Sequence, residues 1–243
     1  MSIFADKNIG AMYVGSRKIA EAWLGSSKVF GQSAPSEGVL IGGRTYRTVT
    51  IGNQEWMAEN LDWKFSGLTF RDGVDGNEMT SDATISQASY YDYNESTYGV
   101  TGNKYGLLYN WTAVNYLNNN LSALGVPSGW HVPTRAEWSA LVSAVGENPG
   151  LKLKSTTGWS SGAGTDDYGF SAVPAGYGNN GFIYVGSIAN FWTSEPNGRG
   201  AWYRYIVTGT SVYENLSNQY NGFSVRLVKS LSSTDDDYIG GGG

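Results

Sequence analysis

The chain has 243 residues, of which 40% are hydrophobic, enough for one large domain with a real core and a small appendage. Only 15% are charged and the net charge is −5, so no basic surplus exists to displace counterions, which excludes a nucleic-acid partner. Cysteine is absent and no apolar run approaches the ~20 residues of a membrane span, which excludes thiol chemistry, cysteine metal sites and membrane insertion through a helix.

The first 31 residues contain an echo. Tyr13-Val14-Gly15-Ser16-Arg17-Lys18-Ile19 returns ten residues later as Trp23-Leu24-Gly25-Ser26-Ser27-Lys28-Val29. Apolar pair, Gly-Ser, basic residue and apolar residue read as short strands joined by tight turns. Two such units bury little alone, so residues 1–31 are expected either to attach to a neighbouring chain or larger assembly, or to fold as a ribbon onto the main domain. No unbroken apolar signal segment precedes them. Residues 32–38 have linker composition.

The main domain is expected over residues 39–230. Arg44 to Ile51 alternates polar and apolar and predicts a strand, with Gly52-Asn53 as a turn and Gln54 to Ala58 as the returning strand. Residues 62–104 predict long loops. Leu107, Leu108, Trp111 and Val114 predict a helix over about 104–117. Thr134-Arg135-Ala136-Glu137 is a capping box, so a second helix begins there, with Trp138, Leu141, Val142 and Val145 as its apolar stripe and Gly146 as its end. Short strands follow at 169–174, 191–194, 201–207, 211–216 and 222–228. Two helices among scattered, mostly antiparallel strands predict an α+β domain. Residues 231–243 form an acidic, glycine-rich tail expected to be disordered.

Six ordered segments resemble one family. They are Ile51 to Leu61 (IGNQEWMAENL), Tyr105 to Trp111 (YGLLYNW), Gly129 to Thr134 with Glu137-Trp138, Gly169 to Ala172 with Pro174 to Tyr177, Ala201 to Tyr205, and Gly222 to Arg226. Together they are similar to the Fibrobacter succinogenes major paralogous domain, found in surface proteins of Bacteroidetes and Fibrobacteres and in some phage proteins. The resemblance spans about residues 38–229 and implies a C-type-lectin-like fold, with function largely open. The Pro-Thr-x-x-Glu-Trp stretch is also similar to formylglycine-generating enzymes, but those work through cysteines and this chain has none. Where many family members carry cysteines, this chain has Val126 and Leu227, so an apolar contact is expected to replace a disulfide.

No enzymatic constellation stands out. The only histidine, His131, lies among apolar neighbours before a helix cap and reads as structural. Zinc clusters and phosphate loops are lacking in the pattern, and no cofactor is expected. Asp72 to Glu78 offers alternating oxygen ligands but not the register of a calcium loop, and reads as a solvated acidic loop. Glu195-Pro196-Asn197 matches the tripeptide of calcium-dependent mannose lectins, but the Trp-Asn-Asp run that completes such a site is missing and Arg204 stands near.

Residues 190–222 instead carry four Tyr and five Asn and no Lys. On the strand from Ala201, alternation is expected to turn Trp202 and Ile206 to the core and Tyr203 and Tyr205 to the open face. Tyr213 and Asn215 follow on the next strand, then Asn218, Tyr220 and Asn221 in the following loop, with Asn197 and Arg199 bordering. Tyr supplies contact area at low entropy cost, and Asn supplies adaptable hydrogen bonds. This stretch also resembles the variable proteins of diversity-generating retroelements, which display randomised Tyr, Asn, Ser and Asp on a lectin-like fold. A family simply rich in Tyr and Asn here would read the same. The expectation is a non-enzymatic binding protein for a cell-surface protein or glycan. It would be carried on a phage tail or a bacterial surface, assembled in a reducing cytoplasm, and possible as a homo-oligomer.

Overall fold

Tandem hairpins begin the chain. β1 (Met12–Val14) pairs antiparallel with β2 (Arg17–Ile19), and β3 (Ala22–Leu24) with β4 (Ser27–Phe30). Tyr13 lies opposite Lys18 and Trp23 opposite Lys28, so the sequence echo is also an echo in pairing register. The computed structural model describes residues 38–68, 105–179 and 181–231 in full, and only the backbone of these four strands and of 69–72 and 89–92. Met1–Ser36 and Glu37–Gly243 form two compact units. The linker expected at 32–38, the tail at 231–243 and the acidic loop from Asp72 to Glu78 lie outside the described residues, except for Gly38, Leu231 and the backbone of Asp72.

The second unit is α+β. The stretch expected as one strand from Arg44 to Ile51 is two. β5 (Val39–Ile41) pairs with β6 (Arg44–Tyr46), and β7 (Thr48–Ile51) with β8 (Gln54–Met57). The break falls at Arg47, whose N–H donates to the Glu59 carboxylate at 2.7 Å and whose carbonyl accepts from Ala58 N at 2.8 Å, so neither group continues a ladder. Within the region expected as loops, β9 (Thr69–Asp72) runs parallel to β10 (Ser89–Asp92), and β10 pairs antiparallel with β11 (Leu108–Tyr109). The first helix, α1 (Trp111–Asn119), starts later than its apolar spacing suggested. Asn110 caps it by accepting from Ala113 N, and Leu108 and Tyr109 are taken into the sheet instead.

β12 (Trp130–His131) leads into α2 (Arg135–Val145), which has the expected limits. Both halves of the capping box are made, and Gly146 ends the helix at φ 73, a left-handed value that glycine tolerates. A short third helix, α3 (Pro149–Leu153), follows with proline in its first turn. Then come the hairpin β13 (Tyr177–Gly178) and β14 (Phe182–Ile183), the meander β15 (Ala189–Asn197), β16 (Gly200–Ile206) and β17 (Val212–Asn218), and β18 (Val228–Ser230). The central sheet has the order β12-β18-β8-β7. The strands expected at 169–174 and 222–228 are not continuous, and of the second only Val228 enters a named strand, β18. Their residues make single bridges to different partners: Ala172 to Lys154, Gly222 to Gly178, Phe223 to Tyr109 and Ser224 to Phe191.

The two larger of three buried clusters among the described residues hold most of the unit together. In one, Trp56, Trp138, Phe170 and Phe191 meet edge-on or tilted, with Trp56 and Trp138 centroids 4.9 Å apart. The other joins Tyr46, Trp111, Trp192, Phe223 and their neighbours, and it contains both Val126 and Leu227. The two aliphatic residues therefore belong to one buried cluster.

Charged groups also pin the core. Arg226 is 1% exposed. Its guanidinium donates to Asn60 Oδ1 at 2.8 Å and to the carbonyls of Met57, Phe170 and Ser171, and its plane lies over Phe170. Burial pulls its pKa down to about 9, which leaves it charged at neutral pH. Lys154, also 1% exposed, points its ammonium at four backbone carbonyls, those of Gly162, Val207, Thr208 and Gly209.

His131 is held at both ring nitrogens. Nδ1 lies 2.9 Å from the Gly129 carbonyl and Nε2 lies 2.6 Å from Glu137 Oε1. Two acceptors on one ring favour the doubly protonated form, and the bond to Glu137 raises the His131 pKa against the opposing effect of burial. Burial works to raise Glu137, but hydrogen bonds from His131 and Thr134 outweigh it and the net shift is downward. The pair's contribution is therefore full between the ordinary values of 4.5 and 6.5. It is lost in acid as Glu137 titrates through its lowered pKa, and in base as pH rises through the raised pKa of His131. Replacing His131 with Gln is expected to cost about 1 kcal/mol near pH 5.5, with the difference in Tm from the parent shrinking toward about pH 9. Thermal melts across that range check it, and a pH-independent difference contradicts it.

Candidate binding face

The β15-β16-β17 meander determines which side chains face together. Registers pair Tyr203 with Asn215 and Tyr205 with Tyr213. Because side chains alternate along each strand, these four share one face. Trp192 and Asn190 on β15, opposite Tyr203 and Tyr205, extend it inward. Trp202, Arg204 and Ile206 share the reverse face with Leu216, Glu214 and Val212.

The reverse face carries the charges and keeps them occupied. Arg135, at the start of α2, makes a two-pronged pair with Glu214 at 3.0 and 2.6 Å. Arg204 lies 2.7 Å from the same carboxylate and donates to the Arg135 carbonyl. Trp202 was expected in the core, but it is only half-buried, and its ring is covered by the Arg135 guanidinium at 3.8 Å. Ile206 is fully buried, as expected.

The Tyr face is not uniformly open. Tyr203 is half-buried rather than exposed, with its ring 4.6 Å from Phe223 and 6.2 Å from Trp192. Ala201, on the same side, is fully buried. The cause is the 222–224 segment, which bridges to Phe191 and Tyr109 and lays Phe223 against the inner half of the face. Exposure rises toward the sheet edge. Tyr205 is half-buried and stacks on Tyr213 with centroids 5.1 Å apart, and Tyr213 and Asn215 are exposed.

The remaining expected site residues lie elsewhere. Asn197 and Arg199 are exposed at the β15-β16 turn, where Asn197 pairs with Gly200 across Gly198-Arg199. Gly198 takes φ 59 there, which the two-residue connection requires and glycine supplies without strain. Asn218 pairs with Gly200 and donates to the Tyr220 hydroxyl at 2.8 Å. This tip is separated from the Tyr205–Tyr213 pair by five residues of β16, roughly 16 Å at ~3.3 Å per residue. Asn221 is 9% exposed and donates to Ser217 Oγ, which makes it part of the turn rather than of a surface. The expected site is thus two groups, an aromatic face and a polar tip, with Asn221 inside.

The Glu195-Pro196-Asn197 tripeptide sits at the end of β15 beside a bulge, where Thr193 to Glu195 stand opposite Trp202 alone. That bulge turns Glu195 toward α2, and its carboxylate accepts the N–H of Arg135 at the helix start. Its oxygen serves the helix terminus.

Residues that the sequence left unmarked complete the face. Tyr177 packs edge-on to Phe223 at 5.9 Å, and Tyr184 lies 6.0 Å from Tyr177. Tyr184 is 65% exposed and takes φ 56. Only the glycine spacing of Gly176-Tyr177-Gly178 hinted at a hairpin there, and nothing local tied it to a strand 20 residues on.

Several of the family-like motifs meet in the core. Asn60 donates to the Tyr105 carbonyl and to Ser224 Oγ, and accepts from Arg226. Trp192 Nε1 donates to the Tyr109 carbonyl, and Trp111 Nε1 to the Thr193 carbonyl. Residues from three of the six segments thus hold one another and β15 in place. Comparison with known proteins agrees. The family model of the Fibrobacter succinogenes major domain matches residues 49–229. No curated protein and no solved structure matches the chain. With three quarters of its length matched, and with the shared motifs forming the hydrogen-bonded core, the chain belongs to the Fibrobacter succinogenes major domain family.

Proposed function

We propose that the protein is a non-enzymatic binding protein whose ligand, a cell-surface protein or glycan, docks on the face of Tyr203, Tyr205, Tyr213 and Asn215. One observation carries this reading: four sequence-selected residues fall on a single uncharged face whose outer half is exposed, while Arg204 and Glu214 are paired on the reverse. Exposed tyrosines stacked on a rigid sheet are costly to display and well suited to binding. In this reading the α+β unit serves as a C-type-lectin-like scaffold, and residues 1–31 attach it to a larger assembly such as a phage tail tip. The Tyr/Asn palette of the face suits a retroelement-diversified variable protein. A bacterial surface adhesin is the second reading, favoured by the family's general occurrence in surface proteins.

The test replaces Tyr205 and Tyr213 together with Ala and leaves Tyr203, whose ring supports Phe223 and Trp192. Losing one exposed stacked pair is expected to cost about 1 kcal/mol of stability. In a screen of glycans and whole cells, capture by the full chain should fall by about a hundredfold or more, the loss typical of central aromatic contacts. Undiminished capture with an unchanged Tm removes this face as the site.

A further inference from the structure

Six rings run in unbroken sequence across the molecule: Tyr213, Tyr205, Tyr203, Phe223, Tyr177 and Tyr184. Successive centroids are 5.1, 5.5, 4.6, 5.9 and 6.0 Å apart. The strip starts on the edge strand β17, dips to the buried Phe223, and rises on the β13-β14 hairpin to Tyr184. Its two ends, Tyr213 and Tyr184, are two of the most exposed large side chains in the unit, at 42% and 65%.

Several features say what such a strip takes. First, it carries no charge. Its cross-strand neighbours on the meander are Asn190 and Asn215, and Arg135 and Arg204 both pair with Glu214 on the reverse face. A charged ligand would find no counterion here. Second, phenol neighbours phenol along the strip, with ring centroids 5.5 Å apart at Tyr203–Tyr205 and 6.0 Å apart at Tyr177–Tyr184. Burial raises the Tyr203 phenol, and the neighbouring Tyr205 and Tyr177 phenols push it further the same way. Tyr177 is likewise raised, by burial first and by Tyr184 next. Among the described residues, none of the hydroxyls of Tyr177, Tyr184, Tyr203, Tyr205 and Tyr213 has a hydrogen-bond partner. Ring faces flanked by unspent donor-acceptor groups match a ligand with apolar ring faces and many hydroxyls. Third, Tyr184 holds φ 56, an unfavourable backbone conformation for a bulky residue, while its ring stays in solvent. Strain that leaves an aromatic ring exposed is placed where a ligand would repay it.

We propose that the strip binds a neutral oligosaccharide without a metal, with sugar rings laid on Tyr205 and Tyr213 at one end and on Tyr184 at the other. This rests on the reading of the Tyr face as a binding site and specifies its ligand. It also makes Tyr184 a binding residue and assigns the β13-β14 hairpin to the site.

Tyr184→Gly separates binding from folding. Glycine adopts φ 56 freely, so the substitution removes the ring and relieves the backbone together. The full chain is run by native electrophoresis through gels containing soluble β-glucan, mannan, xylan or galactan, one set with EDTA and one with calcium, and with polygalacturonate as the charged comparison. The expected result is retardation by at least one neutral polymer and none by polygalacturonate. Tyr184→Gly should weaken that retardation by about tenfold, with Tm equal or raised, and Tyr205→Ala with Tyr213→Ala should abolish it. The proposal is overturned if no neutral polymer retards the chain, if retardation requires calcium, or if Tyr184→Gly runs like the parent. Suppose cell capture depends on Tyr205 and Tyr213, yet disappears when the cells are treated with protease and survives periodate. The face then binds a protein, and the sugar proposal alone falls.

Discussion

Replacing Arg226 with methionine is expected to lower the stability of the main unit by about 3–5 kcal/mol, a loss of roughly 10 °C in Tm for a unit of this size. Methionine fills much of the same volume, so the loss would come from polarity rather than from a cavity. The guanidinium is the donor for Asn60 Oδ1 and for the carbonyls of Met57, Phe170 and Ser171. Those acceptors belong to segments far apart in sequence, and each would be left buried without its donor. The charge itself is costly to bury, which is why the pKa is pulled down, so the gain from removing it offsets part of the loss. Arg226→Lys is expected to recover little, because an ammonium cannot fan out in a plane to four acceptors. Chemical denaturation of both variants checks this, and a loss below about 1 kcal/mol for the methionine variant contradicts the role given to Arg226.

Lys154→Met is the second large loss, about 2–4 kcal/mol by the same reasoning. Here the ammonium gathers Gly162 with the consecutive carbonyls of Val207, Thr208 and Gly209. The last three form the connection from β16 to β17, so the effect should be local as well as global. Amide exchange should quicken first in residues 207–211 and then in β17. Gly164 packs so closely on Lys154 that a methyl there would lie 2.1 Å from the Lys154 carbonyl, so Gly164→Ala should reproduce part of the loss. Exchange that quickens uniformly would contradict the local role of Lys154.

How much of this was legible in the sequence depended on how local the determinant was. α2 was readable to the residue because its cap, stripe and terminal glycine are all within twelve positions. The start of α1 was not. Leu107 and Leu108 continue its apolar spacing, but Leu108-Tyr109 pairs with β10, and Tyr109 is also bridged to Phe223, more than a hundred residues away. The strand expected at 222–228 failed for a related reason. Its apolar residues alternate like a strand's, yet each bridge goes to a different neighbour.

The binding face divides in the same way. Tyr203, Tyr205, Tyr213 and Asn215 could be grouped from period-two alternation on adjacent strands, and the register pairs them directly. Their exposure could not be read, since it depends on where Phe223 lies. Tyr184 was out of reach because the Gly178–Gly222 bridge, a contact between two glycines, brings its hairpin alongside. Glu195 shows the opposite limit. A tripeptide shared with metal-binding lectins carries no metal chemistry by itself, and the fold sets this glutamate on a helix terminus.

The most direct test of the central claim compares the two faces of the meander in one binding assay. Tyr205→Ala with Tyr213→Ala alters one face, and Leu216→Ala, on the reverse and 41% exposed, alters the other. Both variants should fold, and each is titrated against the cell type or glycan that the parent captures. The account predicts that the tyrosine variant loses capture by about a hundredfold while the leucine variant binds as the parent does. Capture that survives in the tyrosine variant and falls in the leucine variant would place the site on the reverse face and contradict it.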